Sequence, residues 1–294
     1  MAVATEEYKD RLFCFIFGSP EHKDWTLSLY NAVNGTSYTD PEMITIATLT
    51  QVLYMGMKDD VALLISDELD LYEHQSSFNP NMPLRLMQYC SNIYETLITM
   101  RKQNKYSSKL IPLPVPKLVT FYNGQTDQPE EKILRLSDSF PESTRAESDI
   151  QVCVRMININ PGRNMEMVAK CKPLQEYTWT VASIRENRKQ MDIERAIDRA
   201  LDDMPADFEI KPYLDANRKG VKTMLLTEYN EAETMEMFKE EGREEGIEIG
   251  FERGIISMLV DLVKDKVITI KEAAKRANLT EREFAERTGF PFAQ

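Results

Sequence analysis

The sequence predicts an α/β protein, with a central mixed β-sheet flanked by helices and followed by a helical C-terminal extension. Three observations carry this. Apolar, β-branched runs of strand length recur through roughly the first 160 residues. A long amphipathic stretch, "PLRLMQYCSNIYETLITMRKQNK", interrupts them. From about residue 165 onward the patterns are helical only. Helix, strands, long helix, strand, strand is the order of a mixed sheet with helices packed on it.

Taken in order, "YKDRLFCFIFG" has apolar residues at helical spacing and a terminating Gly18, so it reads as a short buried helix. "DWTLSLYNAVNG" repeats the pattern, with Asp24 as its cap and Asn34-Gly35 as its stop. "MITIATLTQVLYM" reads as one or two strands. "VALLI" and "LDLY" follow as a hairpin turning through residues 66–69. The long helix spans about 83–104, with Pro83 suited to its first turn and Leu84, Met87, Ile93 and Leu97 on its apolar face. "PVPKLVTFYNG", ending in an Asn-Gly turn, and "IQVCVRMINI" are further strands.

Residues 239–255 place Gly242, Gly246, Gly250 and Gly254 four apart among charges. Each Gly costs a helix interior up to about 1 kcal/mol against Ala. Two readings stay open: a partly helical connector, or a helix whose Gly face packs closely on another backbone. In the tail, Thr280 with Glu283 forms a capping box between two short helical patterns. Such a pair resembles a helix-turn-helix, and equally any small helical hairpin. The expected organisation is a domain over 1–190, a helical extension over 191–230, an acidic Gly-repeat segment over 231–255 and a small helical segment over 256–294.

The 36 basic and 48 acidic residues leave a net charge of −12, which argues against a general nucleic-acid binder. Half of that excess sits in residues 231–255, with nine Glu against three basic residues. Between Glu95 and Asp127 there is no acid, while Arg101, Lys102, Lys105, Lys109 and Lys117 fall inside. That stretch suits a phosphate backbone, or simply a solvated helix end, and Lys102, Lys105 and Lys109 are the candidate DNA contacts. No apolar run approaches the ~20 residues of a membrane span, and the opening has no secretory pattern. Four scattered cysteines fit a reducing cytoplasm. Two histidines and no C-x-x-C pair leave too few ligands for a zinc site. G-x-x-x-x-G-K-[ST] and G-x-S-x-G are both absent, so phosphate-loop NTPases and Ser hydrolases find no support.

The chemistry gathers at the open end of the predicted hairpin. With residues 67 and 68 as a two-residue turn, Asp60 stands opposite Gln75 and Ala62 opposite Glu73. Cross-strand partners, and residues two apart on a strand, share a face. Asp60, Glu73 and Gln75 therefore converge, whereas a one-residue slip would bring Asp60 to His74 instead. Two close carboxylates stay ionised most readily around a cation. Oxygen-only ligands suit Mg²⁺ or Mn²⁺, an ion able to polarise a phosphodiester and lower the pKa of the attacking water. Gln75 could hold that water through its amide. Most acids at hairpin ends, however, are simply solvated.

"DD-V-x-L-L-I", "LYEHQSSFNPNMPLRLMQY", "PVPKLVTFYNGQ" and "LRLSDSF", in this gapped order, resemble the bacterial recombination-promoting nuclease / putative transposase family of the PD-(D/E)XK nuclease superfamily. The resemblance covers roughly residues 8–185. It implies a restriction-endonuclease-like core, with Asp60 and Glu73 as metal ligands, Gln75 assisting the nucleophile and the His74 carbonyl as a further ligand. It also suggests Asp10 on the first helix as a fourth site residue. Gln75 stands where the superfamily usually has Lys, and Asp59 where Asn is common, so the positive charge beside the water is missing. The expected function is a Mg²⁺- or Mn²⁺-dependent DNA endonuclease in recombination or transposition, cytoplasmic and compatible with a homo-oligomer. The alternative is a non-catalytic DNA-binding or self-associating protein of the same fold.

Overall fold

Residues 12–46 and 60–290 are described by the computed structural model. Asp10, Asp59 and most of the strand expected over 43–55 lie outside them. The chain begins with α1 (Leu12–Phe17) and α2 (Lys23–Asn34). Gly35 ends α2 in the left-handed conformation, φ 66°, and its N–H is bonded to the Asn31 carbonyl. Asp24 falls in the first turn of α2, and the cap position belongs to His22.

Six strands form one mixed sheet: β1 (Ile44–Ile46), β2 (Asp60–Ile65), β3 (Glu68–Gln75), β4 (Val115–Tyr122), β5 (Glu131–Arg135) and β6 (Cys153–Asn158). Their order is β1-β2-β3-β4-β6-β5. β1–β2, β2–β3 and β5–β6 are antiparallel, whereas β3–β4 and β4–β6 are parallel. The predicted architecture of a mixed sheet flanked by helices is therefore the observed one. Helix α3 (Met82–Met100) makes the crossover between the parallel strands β3 and β4.

Alternation along the strands splits the core in two. Val61, Leu63, Tyr72, Val119, Phe121 and Ile157 pack with α1, α2 and helix α5 (Lys172–Arg188). Ala62, Leu69, Leu71, Tyr122, Val154 and Met156 pack under α3 through Met82, Leu86, Cys90 and Ile93. The face of α3 differs from the expected one at its start: Leu84 is 43% exposed, because the buried stripe runs through Leu86 instead.

Three sequence expectations need correcting. The β2–β3 hairpin turns at Ser66-Asp67, with Ser66 in the left-handed region at φ 52°, so Asp60 pairs with Glu73 and Ala62 with Leu71. Strand β5 is an element the sequence reading did not contain. Asn123-Gly124 is no hairpin turn, because β4 has parallel neighbours on both sides and the chain must leave the sheet there.

Beyond the sheet, the predicted helical extension comprises α4 (Met165–Ala169), α5, α6 (Ile193–Asp202), α7 (Lys211–Ala216), α8 (Arg218–Lys264), α9 (Ile270–Arg276) and α10 (Glu281–Thr288). The chain divides into two compact units, Met1–Ala232 and Glu233–Gln294. The Gly-repeat segment is part of α8, which is one continuous helix of 47 residues. A methyl group added at Gly246, Gly250 or Gly254 would meet nothing within 4 Å, so a Gly face packed against another backbone is not observed among the described residues. The second unit has its own small core of Leu259, Ala273, Ala274 and Phe284, and the Thr280–Glu283 capping box is present. Among the described residues no helix is long and apolar enough to cross a membrane.

Candidate functional site

The register places Asp60, Glu73, Thr120, Met156 and Lys132 as successive partners in one row across five strands. Glu73 lies on the α3 side of the sheet, the side given by Leu71 two residues earlier. Gln75 follows two residues later and shares that face, at the carboxyl end of β3 beside Tyr122. The backbone of Asp60 falls on the same face as those of Glu73 and Gln75, because the register differs from the expected pairing by an even shift. The side chain of Asp60 is not among those described.

Glu73 is 1% exposed and Gln75 4%. A carboxylate taken that far from water needs a compensating charge. Arg85, in the first turns of α3, supplies one: its Nη2 stands 2.7 Å from Glu73 Oε1. The same guanidinium donates to the Tyr89 hydroxyl from Nη2 at 3.1 Å and from Nε at 3.3 Å. Gln75 Oε1 is buried with no hydrogen-bond partner among the described residues, while the Gln75 carbonyl accepts from Asn123 N–H at 3.0 Å. A buried amide oxygen left open is an unusual expense in a folded core.

His74 turns its ring to the opposite face. Its Nε2 lies 2.9 Å from the Tyr177 hydroxyl, and the ring stacks on Phe13 at 5.4 Å. A role at the Glu73 row would therefore fall to its carbonyl, as expected from sequence. Tyr177 also accepts from Asn123 Nδ2 at 3.2 Å, and Arg185 bonds both the Asn123 carbonyl and Asn160 Oδ1. This buried polar network ties β3, β4 and α5 together behind the site and fixes the edge that presents Glu73 and Gln75. Gly124 stands beside it because a Cβ there would run into the Ser76 carbonyl and the Tyr122 ring.

Lys102, Lys105 and Lys109 are not brought to this cluster. They follow the far end of α3, which lies about 22 Å from Arg85 by helix rise, and Lys105 is engaged with Glu95 at 2.8 Å. The basic residues that do flank the row are Arg85 and Lys132, whose Nζ sits 4.9 Å over the Phe78 ring. Both escaped the sequence reading. Arg85 was visible only as the basic residue following "NPNMPL", and Lys132 belongs to the strand that was missed.

Glu73, Gln75 Oε1 and the His74 carbonyl offer oxygen donors only, and Gln75 Oε1 has no hydrogen-bond partner among the described residues. This set fits a hard cation such as Mg²⁺ or Mn²⁺. Among the described residues no group of three His, Cys, Asp or Glu side chains gathers at metal-binding distance. Any such ion would thus draw on Asp60 and on amide or carbonyl oxygens as well as Glu73.

The family model described as "Putative transposase, YhgA-like" matches residues 70–205, which run from β3 through α6 to just beyond it. No curated protein and no solved structure matches the chain.

Proposed function

We propose, starting from the match of residues 70–205 to a family model described as "Putative transposase, YhgA-like", that the protein is a Mg²⁺-dependent DNA endonuclease of the PD-(D/E)XK type. The observation that carries this reading is the pairing of Asp60 with Glu73 on adjacent strands, with Gln75 two residues on and its buried amide oxygen without a hydrogen-bond partner among the described residues. Asp60 and Glu73 would hold the ion, with the His74 carbonyl as a further ligand and Asp10 as a candidate fourth residue. When bound, the ion supplies Lewis acidity to a phosphodiester oxygen and acidity to the attacking water.

The chain's own residues do the remaining work. Gln75 accepts a hydrogen bond from the water through Oε1 and so aims it, but a neutral amide brings no charge to the developing oxyanion. The His74–Tyr177–Asn123 network holds β3 rigid against α5, which keeps the two acids in register. Lys132 and Arg85 border the row as contacts for backbone phosphates. A duplex laid along α3 would reach Lys102, Lys105 and Lys109 about seven base pairs from the cut, at ~3.4 Å per base pair. We read the product as a strand break serving recombination or transposition.

The non-catalytic alternative is favoured by one specific feature, the Gln in place of Lys. Isothermal titration of Mn²⁺ separates the two at the site itself. The parent is expected to bind one ion that Glu73→Gln does not. Equal binding by the two proteins would exclude Glu73 as a ligand.

A further inference from the structure

We infer that Arg85 supplies the positive charge that Gln75 cannot, by passing from Glu73 to a phosphate oxygen of the bound DNA strand when the divalent ion takes Glu73. This rests on the nuclease reading above and deepens it, naming the group that grips the reacting phosphate.

The ion pair is the starting point. Glu73 is buried, and Arg85 Nη2 lies 2.7 Å from its Oε1. The guanidinium therefore neutralises the carboxylate that the ion would take. A guanidinium cannot shed its proton, so a divalent ion at the same carboxylate repels it and cannot neutralise it. The guanidinium can then turn to an arriving anion. The Arg85 side chain is 38% exposed, so it has access to solvent and to a ligand arriving over the carboxyl end of the sheet. A phosphodiester offers two non-bridging oxygens, which match the fork of a guanidinium. Tyr89, one turn further along α3, accepts from Arg85 and gives the head a pivot on the helix. The position also answers the departure of this sequence from the superfamily pattern. The neutral Gln75 and the charged Arg85 flank Glu73, one from the same strand and one from the helix above.

An Arg that is only a structural partner of Glu73 would behave differently, and two measurements separate the cases. The first is the Mn²⁺ dissociation constant of the full chain without DNA. Arg85→Met keeps the apolar stem and removes the competing charge, so it should bind Mn²⁺ at least ~10-fold more tightly, within the usual range of coupling between two ligands. The second is the cleavage rate of supercoiled plasmid at saturating Mn²⁺, where Arg85→Met should be slower by about 100-fold, the usual loss for one oxyanion donor. Tighter metal together with slower cutting is the expected signature. Weaker or unchanged Mn²⁺ binding, or parent-like cutting, would overturn the assignment. Should Arg85→Met fail to fold, Arg85→Lys keeps the charge without the fork. It should bind Mn²⁺ like the parent and cut about tenfold more slowly, and a parent-like rate would again overturn it. A parent that binds Mn²⁺ but cuts no DNA overturns the nuclease reading along with the phosphate contact. A parent that cuts no faster than Arg85→Met overturns Arg85 alone.

Discussion

Asp70 lies on β3 and is fully buried. Its Oδ1 accepts from Asn34 Nδ2 at 3.1 Å and from the Tyr72 hydroxyl at 3.0 Å, while Oδ2 is buried without a partner among the described residues. Burial pushes its carboxyl from the usual 3.8 up to about 6; the two hydrogen bonds oppose the shift and the charge of Glu68 adds to it. The folded protein thus holds this proton more tightly than the unfolded chain does. Stability is lost as pH rises from about 4 to about 6, and the full cost remains above that window. A shift of roughly two units corresponds to ~3 kcal/mol. Asp70→Asn removes the charge, keeps an acceptor for Asn34 and Tyr72, and places an NH₂ where Oδ2 was unpartnered, at a cost of ~1 kcal/mol or more. The variant should therefore be more stable than the parent by about 1–2 kcal/mol at pH 7.5, and no more stable, or less so, at pH 4.5. Urea unfolding followed by tryptophan fluorescence reads this directly, because both tryptophans, Trp25 and Trp179, lie in the unit that contains the sheet. A difference between variant and parent that is the same at both pH values would refute the reasoning.

Gly124→Ala forces a methyl group against the Ser76 carbonyl and the Tyr122 ring. It should destabilise the sheet unit by ~1–3 kcal/mol and disturb the end of β3, which thermal melts would show as a clear fall in the midpoint; an unchanged melt would mean that the edge is slack. A chain ended after Ala232 should unfold with a free energy within ~1 kcal/mol of the intact protein's sheet unit, since distant and independent parts contribute additively. Among the described residues, the buried apolar side chains that α8 gives to that unit, Val221, Met224 and Leu225, all precede the cut. A large loss in urea unfolding would show that the acidic half of α8 supports the sheet.

That Asp60 and Glu73 stand on neighbouring antiparallel strands, on the same face of the backbone, was legible because a short hairpin has few registers and a period of two residues tells them apart. The exact partner was not legible. Ser66 adopts a left-handed backbone that its residue type does not announce, and this sets the turn two positions from the expected one in pairing sum. Strand β5 escaped because "EKILR" is five residues at a sheet edge with three charges, the composition that keeps edges from aggregating and also hides them. Gly124 was read as a turn former when its purpose is close approach. That depends on Ser76 and Tyr122, residues a local reading does not bring together. Arg85 is the most instructive omission. Its meeting with Glu73 is a tertiary contact between a strand and the helix crossing over it, and no spacing rule along the chain encodes it.

In the proposed site, Asp60 and Glu73 would hold a divalent ion that cuts DNA. The most direct test is the nicking of supercoiled plasmid by the purified full chain in Mg²⁺ or Mn²⁺, with EDTA as control, beside Asp60→Asn and Gln75→Lys. Metal-dependent nicking by the parent is expected, with its loss in Asp60→Asn by at least ~100-fold. Gln75→Lys should nick at or above the parent's rate where the pocket admits the longer side chain. Asp60→Asn cutting as fast as the parent would contradict the site. Failure of both the parent and Gln75→Lys to cut any substrate while both still bind DNA would contradict the nuclease itself.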